Sequence, residues 1–131
     1  MDEFSDPTPI ATVEQFKAAL LIVRDRVPDM TPYAALLKAH CRATRHTITA
    51  GQLAKEMNYP NYSAANLRYG TFAHDVADAL HYIPGPFSTG NPHWWRTLAY
   101  GNDGTPQTED GHYEWIMRPE LVQALQEMRW A

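Results

Sequence analysis

The tetrapeptide Asn58-Tyr59-Pro60-Asn61 constrains this chain more than any other stretch of it. Proline has no amide hydrogen to give a helix and disfavours helical backbone before it, and asparagine bonds its own backbone in turns. Helical patterns run up to this corner and away from it. Upstream, Thr49 and Gln52 form a capping box ahead of Ala50 to Met57, whose Leu53, Ala54 and Met57 share one face. Downstream, a helix begins near Tyr62-Ser63 and reaches Tyr69-Gly70. Thr71 then offers a cap to a stripe of Phe72, Val76, Ala77 and Leu80, and Gly70 either divides the two segments or is carried inside one helix. Two helices across a tight corner make a helix-turn-helix.

The flanks complete a small domain. Thr12 with Gln15 caps a helix whose Val13, Phe16, Ala19, Leu20 and Val23 repeat at helical spacing until Pro28. Thr31-Pro32 restarts one, threonine as cap and proline in the first helical position, ending near Cys41 to Thr44. Ile83 to Pro92 is loop. Trp94 to Tyr100 has strand composition, Gly101 to Gly111 is a polar hairpin loop, and Tyr113 to Met117 is the returning strand. Pro119 opens a closing helix with Leu121, Val122, Leu125 and Met128 on one face. The expected fold is α+β and mainly helical: a helix-turn-helix, winged-helix-like core with a C-terminal β-hairpin and closing helix. Residues 1–11 are expected to form a flexible acidic arm, and 12–131 a single domain.

Charge is segregated. The net charge is −4, yet Thr31 to Gly70 holds five basic residues (Lys38, Arg42, Arg45, Lys55, Arg68) and one acid, Glu56. The rest of the chain is net −8, which discourages indiscriminate polyanion binding. No run of eighteen apolar residues exists, so no transmembrane span is expected. A single cysteine, Cys41, excludes an internal disulfide and a cysteine-based zinc cage. With an acidic rather than basic start, a cytoplasmic protein is expected.

In a winged helix the second helix of the pair enters the major groove. Here that element presents Tyr62, Ser63, Asn66 and Arg68. Asparagine pairs bidentately with adenine and arginine with guanine, while Arg45, His46 and Lys55 are placed to meet phosphates. The bland alternatives are a turn role for Asn66 and a surface ion pair from Arg68 to Glu56 or Asp75. The hairpin loop carries Asp103, Glu109 and Asp110, which make it a poor phosphate binder.

The runs Thr49 to Ala54, Tyr59 to Gly70 and Val76 to Leu80, then Trp94-Trp95 and Glu114-Trp115-Ile116-Met117-Arg118-Pro119-Glu120-Leu121, resemble a recurring bacterial domain. That domain occurs alone as an uncharacterised protein and fused ahead of HNH nuclease modules in modification-dependent restriction enzymes. The resemblance covers about residues 47–131. It implies a double-stranded DNA reader, with modified bases as a target, in restriction or mobile-element biology. A base reader needs a ring-lined pocket, for which Tyr59, Tyr69, Trp94 and Trp95 are candidate stacking residues. Against this, Trp94, Trp115 and Trp130 read first as core anchors, since large aromatics supply much of the burial in a small domain. In a strand, Trp94 and Trp95 would face opposite ways.

Catalytic constellations are missing. His93, Asn102 and His112 stand in HNH order, but the acidic, glycine-punctuated stretch between them is not an HNH unit. His40 and His46 are six apart, out of register for one helix face. No serine lies in a Gly-x-Ser-x-Gly turn, and no glycine-rich phosphate loop exists. Binding without catalysis, metal or cofactor is therefore expected. The rival is an adaptor or inhibitor whose acidic surface docks on a nuclease or defence complex, or a homodimer; a weaker third is an enzyme using Cys41 and its neighbouring histidines.

Overall fold

Caps and turns set the helices locally. The computed structural model describes residues 4–85, 92–102 and 112–131. Helix α1 (Val13–Arg26) starts at the expected capping box, in which the Thr12 hydroxyl accepts the Gln15 amide at 3.1 Å and Gln15 Oε1 accepts the Thr12 amide at 2.8 Å. Helix α2 (Thr31–Arg42) departs from expectation at its first residue. Thr31 is already helical behind Met30, and the Asp29 carboxylate, not the threonine hydroxyl, takes the Thr31 amide at 3.0 Å.

The corner forms as the sequence requires. Helix α3 (Ala50–Met57) carries the Thr49–Gln52 box and stops at Asn58, which sits in the left-handed region with φ 59. Asparagine tolerates that backbone better than other residues with a side chain. Asn61 then caps α4 (Tyr62–Leu80), its Oδ1 accepting the Ala64 amide at 2.9 Å. Helix α4 is continuous through Gly70, so Thr71 is an interior residue rather than a cap.

Burial reorganises the second half. Trp94–Thr97 is a 3-10 turn, not a strand, and the strand proper is β2 (Ala99–Gly101). Packing against α4 overrides strand composition here, since the turn buries Arg96 and Thr97 while laying Trp94 on the helix. The returning strand β3 (Glu114–Met117) matches expectation. A strand the sequence reading did not foresee, β1 (Thr47–Thr49), precedes α3 and pairs with β3 in the register Thr47 to Ile116 and Thr49 to Glu114. The sheet is antiparallel in the order β1-β3-β2. Helix, strand, two helices across a corner, then a hairpin whose second strand sits centrally is the winged-helix arrangement. Helix α5 (Pro119–Glu127) closes it.

Helix α4 is the spine. Its inner face buries Tyr69, Phe72 and Val76 against Phe16 and Leu20 of α1, Leu36 of α2, Leu53 of α3 and Trp115 of β3. Each such side chain contributes about 1.5–3 kcal/mol. Residues 4–11, expected as a loose arm, lie against the hairpin. The Gly101 amide donates to the Phe4 carbonyl at 2.6 Å, Ser5 and Ala11 are buried, and the Thr8 carbonyl accepts from Arg118 Nη1 at 3.1 Å. A side chain at 101 would displace the Tyr113 ring, because a Cβ there would lie 1.7 Å from its hydroxyl.

Candidate nucleic-acid interface

Helix α4 presents a polar outer face because its inner face is anchored one residue at a time. Tyr69 is fully buried, stacked on Trp115 with centroids 4.2 Å apart, and its hydroxyl lies 2.9 Å from His40 Nδ1. His40 Nε2 lies 3.0 Å from the Trp115 carbonyl. A carbonyl only accepts, so Nε2 carries the proton and Nδ1 accepts from tyrosine. Burial holds this imidazole neutral, lowering its pKa to about 4. The three-residue junction ties α2, α4 and β3 together and fixes which side of α4 faces out.

On that outer side Ser63, Asn66 and Arg68 are all exposed, and Leu67 is 70% exposed. Asn66 and Arg68 are two positions apart, about 200° around the helix, so they occupy opposite edges of the face with Leu67 between. Neither alternative reading holds for these side chains. Arg68 joins none of the ion pairs among the described residues, and α4 has no kink at Asn66. Gly70 lies one turn on, and a Cβ added there would meet nothing within 4 Å. A mid-helix glycine costs about 1 kcal/mol relative to alanine, and here no packing contact requires it. One more turn on, exposed His74 stacks flat on Trp94 with centroids 3.8 Å apart and 7° between planes. Leu67 and His74 carry no mark in the sequence, where neither residue type in a helix gives a sign of its exposure.

The remaining candidates divide. Lys55 is exposed on α3, and Tyr59 and Tyr62 flank the corner half-buried, at the core's fringe. Tyr69 is a core residue, not a stacking residue, since both its ring and its hydroxyl are spent internally. Trp94 and Trp95 do diverge, though through the 3-10 turn rather than strand alternation: Trp94 covers His74, and Trp95 sits among Phe4, Tyr113 and Trp115.

Arg45 and His46 stand apart from the α4 face. The register places Thr49 beside Glu114, at the hairpin-loop end, and Thr47 beside Ile116, so Arg45 lies beyond the far end of the sheet. Both residues adopt left-handed backbone, with φ 57 and 55. His46 Nδ1 lies 2.6 Å from the Cys41 carbonyl, closing the C-terminus of α2, and Arg45 lines a hollow with Pro119 and Gln126 of α5. The sequence grouped these two with the recognition helix because they are close in the chain; a strand of three residues carries them to the other end.

The acidic hairpin loop, with Asp103, Glu109 and Asp110, lies outside the described residues. Of the HNH-ordered residues, His93 packs edge-on to Phe4 and Asn102 Nδ2 donates to Glu114 Oε1 at 3.2 Å. Among the described residues, no three His, Cys, Asp or Glu side chains gather to hold a metal ion. Burial raises the Cys41 thiol above its ordinary pKa, which suppresses the thiolate a nucleophile needs. No described helix is long and apolar enough to cross a membrane. Comparisons with family models, with curated proteins and with solved structures gave no match to this chain.

Proposed function

We propose that this chain is a DNA-binding module that seats the N-terminal half of α4 in the major groove of a duplex. The observation that carries this reading is the outward projection of Ser63, Asn66, Leu67 and Arg68 from the second helix of a winged-helix arrangement, with Arg68 free of any ion pair among the described residues. A helix in the groove turns one edge to each wall. Asn66 on one edge and Arg68 on the other suit base readout and backbone contact, and Leu67 between them suits a pyrimidine methyl group. The resemblance to modules that precede HNH nucleases agrees, and makes modified cytosine a target to test.

Fluorescence anisotropy with plain and cytosine-methylated duplex pools, at two salt concentrations, tests it. Binding is expected to weaken as salt rises, because neutralised phosphates release counterions. Asn66→Ala and Arg68→Ala are each expected to cost about 1–3 kcal/mol. Absence of binding to either pool at low salt would remove this reading and leave the adaptor reading, in which the acidic remainder of the chain docks on a basic protein.

A further inference from the structure

The basic excess of residues 31–70 does not gather around α4. Lys38 and Arg42, one turn apart on the exposed side of α2, line both of two neighbouring hollows on another face. The larger, about 630 Å³, runs between α2, β1 and α3, with Thr44, Thr47 and Gln52 along it. The smaller, about 280 Å³, is walled by Gln126, Arg129 and the half-buried indole of Trp130 at the end of α5. Lys38, Arg42 and Arg129 are exposed and take part in none of the ion pairs among the described residues. Like charges four residues apart repel, so Lys38 and Arg42 cost stability unless something anionic comes between them and Arg129. The acidic side chain among those lining the two hollows is Glu56, in the larger one.

The geometry points to a second binding site, in which this groove takes a single-stranded nucleic acid segment. A cationic track beside an aromatic ring is the chemistry that holds unpaired strands: phosphates follow the cations and a base stacks on the ring. A duplex offers the phosphates but keeps its base faces stacked, so it has no use for Trp130. An acidic peptide offers the charge without the ring. Lys38, Arg42 and Arg129 neutralise successive phosphates, Trp130 stacks one base, and Gln126 is within the same hollow to bond it. The site is separate from the α4 face and needs none of its residues.

The test titrates the full chain with a fluorescent oligo-dT of about 12 nucleotides and, separately, with duplex. Arg42→Ala combined with Arg129→Ala is expected to weaken oligo-dT binding at least about tenfold while duplex affinity stays within about twofold. Asn66→Ala with Arg68→Ala is expected to leave oligo-dT binding unchanged. Binding is expected to quench tryptophan fluorescence, and Trp130→Phe to abolish that quench with the fold intact by circular dichroism. No oligo-dT binding at low salt, equal displacement by polyglutamate, or loss through the α4 variants rather than the groove variants would each overturn the site. Because the duplex arm is read separately, its failure would sink the α4 reading alone.

Discussion

His40 shows how a single buried ring shapes the whole stability profile. In an unfolded chain it takes a proton near the ordinary histidine value of 6.5, whereas in the fold burial holds it neutral down to about 4. The unfolded state therefore binds more protons in that window, and stability falls as pH drops. Full stability is expected above pH 6.5, with a loss of about 3 kcal/mol on acidification from 6.5 to 4. Urea unfolding across that range checks it, and a flat profile would contradict the burial. Tyr69→Phe removes the proton donated to His40 Nδ1 and is expected to cost about 1–3 kcal/mol, the penalty of an unpaired buried acceptor. These residues were not legible as a unit. Tyr69 reads in the sequence as a candidate stacking residue of a base pocket, and nothing local says that its hydroxyl meets a histidine 29 positions away.

At the scale of elements, local chemistry decided most of what formed. Both capping boxes, the left-handed Asn58 and the Asn61 cap stand where the side chains imply, because each is a contact across three or four residues. Gly70 is the exception that needed the structure, since continuity of α4 depends on the partners of Tyr69, Phe72 and Ala73 on its inner face. Gly70→Ala is expected to raise stability by about 0.5–1 kcal/mol, as the added methyl meets open space and the helix gains propensity. If duplex affinity falls while stability rises, the bare backbone at 70 is a point of close approach. Asn61→Ala is expected to cost about 1 kcal/mol through the lost cap, measured by thermal unfolding.

Across the whole molecule the N-terminal segment meets the second half of the chain at Arg118. This buried guanidinium donates through Nε to the Arg96 carbonyl at 2.9 Å and through Nη1 to the Thr8 carbonyl at 3.1 Å, joining the hairpin, the 3-10 turn and the N-terminal segment. Burial lowers its pKa, and it joins none of the ion pairs among the described residues; carbonyl oxygens accept its protons. Deleting residues 1–11 is expected to lower the midpoint of thermal unfolding by several degrees, since it strips a hydrogen bond from Arg118 and from the Gly101 amide and uncovers Trp95. An unchanged midpoint would show the segment to be the loose arm its composition suggests.

By itself the sequence determined the helices, both capping boxes, the corner and the returning strand, because these rest on side chains a few positions apart; the caps expected at Thr31 and Thr71 did not form. Only the tertiary structure decided the edge strand β1, the turn at Trp94–Thr97 and the faces on which the cations lie. Thr47-Ile48-Thr49 is too short to announce a strand and becomes one through pairing with β3, more than 60 residues on. That pairing carries Arg45 away from α4. Charge counted along a chain says how much is present, and the packing of the elements says where it points.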